Sequence, residues 1–395
     1  MVLRSVLLII LGFQVALNLT RPIITLYASD MGATTFEIGI LTAAFAFFPL
    51  IFAIQAGRIA DKIGDRLPVL FGLIGLAIGM FFPYVFHSIW ALYVSQFIVG
   101  VSNVFIAVSL QNVLGNVSNN ENRDQYFSMF GMAVASGQLI GPILGGYISE
   151  HYSYSSAFLT ALFISLAPIL LFNRIPVILK KSVTKKESLK SSIGLLKEPA
   201  LKKALISSAL VLYSKDIFIA YFPLFAKQHG ISNTTIGWII ALQGLSMIIV
   251  RFILPAVSKL WGRERVLWIS IITAGVSFLL IPISSKVFIL CILSCLMGFG
   301  LGCGQPISMS TTYNASPKNR TGEVLGLRLS SNRLSQLIAP LFFGIIGTWL
   351  GVISVFIVSG MFLIGGSFFV KIRKKGKQVE GEGMIIEKKE VKNGY

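Results

Sequence analysis

The chain repeats itself at a constant offset of 198 residues. Ile38-Gly39 recurs as Ile236-Gly237, Gly64 as Gly262 and Gly100 as Gly298. The run Gln138-Leu139-Ile140-Gly141-Pro142 returns as Gln336-Leu337-Ile338-Ala339-Pro340, and Gly146 returns as Gly344. Two similar halves predict two similar bundles. In a membrane, that duplication suits a central site reached alternately from either face.

Composition places the chain in a membrane. Its 395 residues are 54% hydrophobic and only 13% charged, too little polar surface for a water-soluble protein of this length. Apolar stretches of about 20 residues recur, each able to cross a hydrocarbon core about 30 Å thick as a helix. They fall near 5–28, 36–57, 67–87, 89–114, 125–148 and 155–173, then 204–226, 233–256, 265–284, 286–313, 322–346 and 350–370. Backbone groups in lipid must be satisfied within their own segment, which selects helices over open sheets. The expected fold is an all-α integral membrane protein of twelve transmembrane helices in two pseudo-symmetric six-helix bundles. Residues 1–173 form the first bundle, 174–203 a basic linker, 204–370 the second bundle and 371–395 a charged, disordered tail. Within the linker, Leu189, Ile193 and Leu196 are spaced for a short amphipathic surface helix.

The net charge of +18 is an orientation signal. With the amino terminus inside, 27 of the 34 Lys and Arg residues fall in cytoplasmic segments, two in outer segments and five within helices. This asymmetry predicts a multi-pass protein of the cell membrane with both termini cytoplasmic, and it excludes nucleic acid as the partner of the basic residues. The first apolar run is too long for a signal peptide and leads into a second span, so it reads as a retained helix. Cys291, Cys295 and Cys303 share one span without histidine nearby, which reads as small apolar packing and not a metal site. No phosphate-binding loop of the G-x-x-x-x-G-K-[ST] type occurs, and no cofactor is expected.

Between the second and third spans stands Gly57-Arg58-Ile59-Ala60-Asp61-Lys62-Ile63-Gly64-Asp65-Arg66. This resembles the G-x-L-A-D-R-x-G-R-R loop of the major facilitator superfamily, and with twelve spans and a duplicated half the resemblance covers nearly the whole chain. It implies an inner-gate role for Gly57, Asp61, Gly64 and Arg66, with Asp61 meeting basic groups or a helix amino terminus of the other half. Asp65 departs from the basic residue usual there. The fifth span carries Gly137-Gln138-Leu139-Ile140-Gly141-Pro142-Ile143-Leu144-Gly145-Gly146, similar to the G-x-x-x-G-P-x-x-G-G motif of exporters in this superfamily that work by antiport. Gly137, Gly141, Pro142, Gly145 and Gly146 would shape a smooth, bent packing face. Exporters of the family often carry an Arg in the fourth span four residues before a Gly. This chain has Gln96 there, before Gly100, so the resemblance leaves any proton-carrying charge to be found elsewhere.

Charges at membrane depth cost roughly 2.5–3.5 kcal/mol each near the bilayer centre on insertion scales and need a reason. Counting along the helices puts Lys215, Asp216 and Arg333 near the midplane and Arg21 in the outer third of the first span. Arg251 and Arg328 lie nearer the inner surface, where long side chains reach toward phosphates. Asp216 is the one acidic residue placed deep. Burial favours a neutral carboxyl and a nearby cation a charged one, so such a group can load and release a proton as its surroundings change. Arg333 is the expected salt-bridge partner of Asp216, because Lys215 points about 100° away around the helix. Asn18, Asn103, Tyr213, Gln305 and Asn332 join Arg21, Lys215 and Arg333 as substrate-binding candidates.

The expected function is secondary active transport of a small organic molecule by alternating access, as proton-coupled export by a monomer. Uptake or exchange of an organic anion drawn to Arg21 and Arg333 is the alternative. A non-transporting receptor is disfavoured because the charged tail offers no output domain.

Overall fold

The computed structural model describes residues 2–119, 123–176, 199–314 and 321–370. The proposed amphipathic segment near 188–196 and the tail 371–395 lie outside the described residues. Among the described residues, twelve helices are long and apolar enough to cross a membrane. The first six are α1 (Val2–Asp30), α2 (Thr35–Ile63), α3 (Arg66–Val85), α4 (Ile89–Val117), α5 (Arg123–His151) and α6 (Tyr154–Leu166), the last continued by a 3-10 turn over Ala167–Arg174. The second six are α7 (Pro199–Gln228), α8 (Asn233–Trp261), α9 (Arg263–Leu280), α10 (Val287–Asn314), α11 (Thr321–Leu350) and α12 (Val352–Val370). We call the face where α1 begins and α12 ends the terminal side, and the opposite face, with its short loops, the hairpin side.

Local chemistry sets the turns. On the hairpin side α2, α4, α6 and α8 each start on a hydroxyl cap: Thr34, Ser88, Ser153 and Ser232. Each cap accepts a hydrogen bond from a first-turn backbone N–H that has no partner within the helix. Thr34 and Glu37 form a reciprocal capping box, and Thr34 and Ser232 are equivalent under the 198-residue offset. On the terminal side α2 and α8 end at Gly64 and Gly262, with φ of 84° and 80°. A side chain is strained in that region, which explains why this glycine of the loop motif is kept in both copies.

Within the first half α1 packs on α5 and α6, α3 on α4 and α6, and α2 on α4. The second half repeats this plan, with α7 against α10, α11 and α12, α9 against α10 and α12, and α8 against α10. Between the halves α2 lies on α11, α5 on α8 and α1 on α7. The first two seams are one contact made twice. A Cβ on Gly39 would collide with the Pro340 carbonyl, and one on Gly237 with the Pro142 carbonyl. Both residues of each pair are related by the offset, so the repeat marks where backbones meet without side chains between them.

Inserting a side chain at either seam should therefore prop the hairpin side apart. We expect Gly237→Val and Gly39→Val each to lose crosslinking between cysteines placed at Asp30 and Lys227, which face each other across the halves. Undiminished crosslinking would show that these glycines do not control closure.

Candidate functional site

Asp216, 5% exposed, is held by groups from both halves. Arg21 of α1 places Nη1 3.3 Å from its Oδ1, and Gln336 of α11 donates from Nε2 to its Oδ2 at 2.6 Å. Arg333 donates in turn to Gln336 Oε1 at 3.0 Å. Arg333 thus reaches Asp216 through the amide, and the direct salt bridge expected between them belongs to Arg21. Counting residues gave depth along each helix but not the tilt and rotation that bring Arg21 to the carboxylate. The Arg21 guanidinium also lies over the Phe45 ring, 4.6 Å from its centroid, a favourable seat for a cation in a dry setting.

Lys215 turns the other way, as helical geometry requires, and donates to Gln138 Oε1 of α5 at 3.0 Å. Gln138 and Gln336 are the same residue of the repeat, and Asp216 is the repeat equivalent of Asn18. Asn18 remains neutral and spends its amide on Gln14, at 2.7 Å to the backbone oxygen and 3.1 Å to Oε1. At this position of the repeat the second half carries a charge and the first half does not. Beside Arg21 and Asp216 lies a cavity of about 20 Å³ that also touches Thr25, Thr42, Phe45 and Gln96, room for roughly one water.

Toward the hairpin side the seams are closed by helix termini. Glu150, at the end of α5, accepts from the Thr234 backbone N–H of α8 at 2.7 Å. Thr348, at the end of α11, accepts from the Phe36 backbone N–H of α2 at 2.9 Å. Glu150 and Thr348 are again offset equivalents, as are Phe36 and Thr234. Each half caps a helix of the other. Lys227 adds a cross-half ion pair with Asp30 and a 3.3 Å bond to Tyr154 Oη.

Other candidates lie apart from this cluster. Gln305 is committed to α7 and α11, donating to Ser208 O and Oγ at 3.3 Å and accepting from Arg328 Nη2 at 2.6 Å. Arg328 is consequently buried inside the second half at 5% exposure and does not reach toward the surface. Tyr213 faces α12, with its hydroxyl 3.4 Å from Ser359 O and its ring stacked on Phe343. Asn103 and Asn332 are buried on α4 and α11, and Asn332 Oδ1 has no hydrogen-bond partner among the described residues. In the fifth-span motif, Gly137, Gly141 and Gly145 press against Gln14, Asn18 and Leu19 of α1, while Gly146 meets Asn233 of α8. In the loop motif, Arg66 bonds Asn173 and lies over Phe172 of its own half. Asp65 is fully buried and accepts from Asn112 at 2.9 and 3.0 Å. Gly57 and Asp61 belong to α2, but the surroundings of both lie outside the described residues. Gln138, Gln336, Glu150 and Thr348 were missed as contact residues. For Gln138 and Gln336, identical residues at the repeat offset, that spacing was the available signal.

The profile of the Major Facilitator Superfamily matches residues 6–212 and again 204–389. The chain belongs to this superfamily. As a superfamily transporter it is embedded in the membrane and acts on a small-molecule substrate. It is 23% identical over 351 residues to an uncharacterised MFS-type transporter of Methanocaldococcus jannaschii, covering 87% of this chain and 90% of the relative. It is 25% identical to the class H tetracycline resistance protein of Pasteurella multocida, over 85% of each chain. Over 146 residues, 37% of each chain, it is 30% identical to the quinolone resistance protein NorA of Staphylococcus aureus. In fold it is similar to a POT family transporter in complex with 5-aminolevulinic acid, with a TM-score of 0.78, 15% identity and coverage of 93% and 95%. A mutant of the nucleoside transporter NupG gives a TM-score of 0.77 at 13% identity, with coverage of 94% and 99%.

Removing one member of a buried pair leaves the other charge uncompensated, at a cost of about 3–5 kcal/mol. We expect Arg21→Ala to lower the thermal unfolding midpoint sharply and Arg21→Ala with Asp216→Asn to recover most of the loss. A double variant no better than the single one would separate the two residues energetically.

Proposed function

We propose that this transporter exports a small organic molecule in exchange for protons, with Asp216 carrying the proton. The observation that supports it most directly is the Arg21–Asp216 pair, because it joins the two halves at membrane depth. A proton on the carboxyl removes the attraction for Arg21, so protonation and separation of α1 from α7 favour each other. Loss of the proton restores the charge and draws the halves together again. Relatives named for tetracycline and quinolone resistance favour export, since a transporter protects a cell by removing the compound.

The excess of Lys and Arg in segments on the terminal side supports cytoplasmic placement of both termini. The hairpin side is then external, and the conformation described is closed to the outside. Residues 1–173 and 204–370 act as the two moving lobes, 174–203 as a cytoplasmic linker and 371–395 as a cytoplasmic tail. One chain carries the entire candidate site, so the working unit is a monomer. The basic loop motif around Asp61 would close the cytoplasmic side in the opposite state, when Arg66 leaves Asn173.

A second reading, exchange of an organic anion, is favoured by charge. Arg21 pairs with the one carboxylate, while Arg333 and Lys215 nearby rest on glutamine oxygens. A substrate carboxylate could displace either glutamine.

Transport into inside-out vesicles separates the readings. With an acidic lumen, tetracycline or a quinolone should accumulate in wild-type vesicles, and Asp216→Asn should abolish gradient-driven accumulation while leaving downhill flux. Accumulation that persists in Asp216→Asn would remove this residue from proton coupling. Transport limited to organic acids, and lost in Arg333→Ala, would establish the anion reading instead.

A further inference from the structure

Along the same side of α7 as Asp216, but nearer the start of the helix, the second half carries a groove that the central site does not use. Two contiguous cavities of about 600 and 630 Å³ lie between α7, α11 and α12. They share Ile206, Leu210, Phe342 and Phe362 as walls, and both have Lys202 at one end. The groove opens sideways: Ile338, Phe342 and Phe362 are each about half exposed. Its floor is the stacked pair Tyr213 and Phe343, 5.8 Å between centroids, with the tyrosine hydroxyl turned away toward Ser359. Consecutive glycines, Gly365 and Gly366, widen the α12 wall, and Leu210 packs where a Gly366 side chain would stand.

Length and charge identify the occupant. From Lys202 to Tyr213 the groove follows eleven residues of α7, or roughly 16 Å at 1.5 Å per residue. That is about half of a 30 Å hydrocarbon core, the depth of one leaflet. Lys202 lies next to Leu201, where the apolar span of α7 begins, and a span seated across a bilayer from that residue would set Lys202 near the lipid phosphates. It is exposed and makes no hydrogen bond or ion pair among the described residues. Lys203 follows it, and among the described residues no acidic side chain lines either cavity. We propose that this groove holds one anionic phospholipid of the leaflet on the terminal side, with its phosphate on Lys202 and an acyl chain between α7, α11 and α12. Leu334 and Ile338 face the groove while Gln336, between them in sequence, faces Asp216. The seated lipid therefore braces α11 against α7 on the terminal side of the carboxylate.

The test uses the full-length protein, delipidated in mild detergent and titrated separately with phosphatidylglycerol and phosphatidylcholine under native mass spectrometry. For the first lipid bound, we expect at least a fivefold preference for phosphatidylglycerol. Lys202→Gln should abolish that preference, and Gly365→Phe should weaken the first binding step for both lipids. Should Gly365→Phe fail to fold, Ala209→Phe fills the same groove from α7. Equal affinity for the two lipids in the wild type would overturn the proposal. So would a Lys202→Gln protein that still prefers phosphatidylglycerol, or folded groove-filling variants that bind the first lipid like wild type.

Discussion

A carboxylate at the centre of a bilayer must be answered by another charge or give up its own. Asp216 is answered by Arg21 from the opposite half, and much of the central architecture follows from that pairing. Gln336 occupies the second carboxylate oxygen, Arg333 orients Gln336, and Phe45 seats the guanidinium. The partners come from three helices, so the ion pair is available only while α1, α2, α7 and α11 keep their present relation. The electrostatic requirement of one side chain is thus written into the relative placement of two lobes.

Duplication explains where the contacts lie, and departures from it explain where the chemistry lies. Gly39 on Pro340 and Gly237 on Pro142 are two copies of one backbone contact. Asn18 and Asp216, in contrast, stand at one position of the repeat with different charge. The asymmetry gives the second half the titratable group and the first half the cation. Gln96 occupies the place where exporters of the superfamily often carry an arginine, and it borders the same small cavity as Arg21. The cation beside that cavity comes from α1.

Much of this was legible in the sequence. Span lengths gave the twelve helices, and the 198-residue offset marked the seam glycines before any contact was known. Asp216 stood out because an acid at that depth demands a function or a partner. The partner itself was not legible. Residue counting measures position along an axis, whereas the choice between Arg21 and Arg333 depends on tilt and rotation set by packing of neighbouring helices. Arg328 shows the same limit, since a long side chain near a membrane surface can turn inward to Gln305 as readily as outward to phosphate. Tyr213 looked like a cavity residue by depth alone, yet its azimuth carries it to α12. Glu150 and Thr348 were invisible for another reason: each caps a helix that lies on the opposite half, and local cap signals do not extend across such distances.

Those exchanged caps bear on how the hairpin side parts. A helix amino terminus released from its acceptor exposes N–H groups that lipid cannot satisfy. Separating α5 from α8 and α2 from α11 would strand two such termini at once unless water arrives as they leave. The seam therefore cannot open dry, and flooding of the vestibule is part of the opening movement itself.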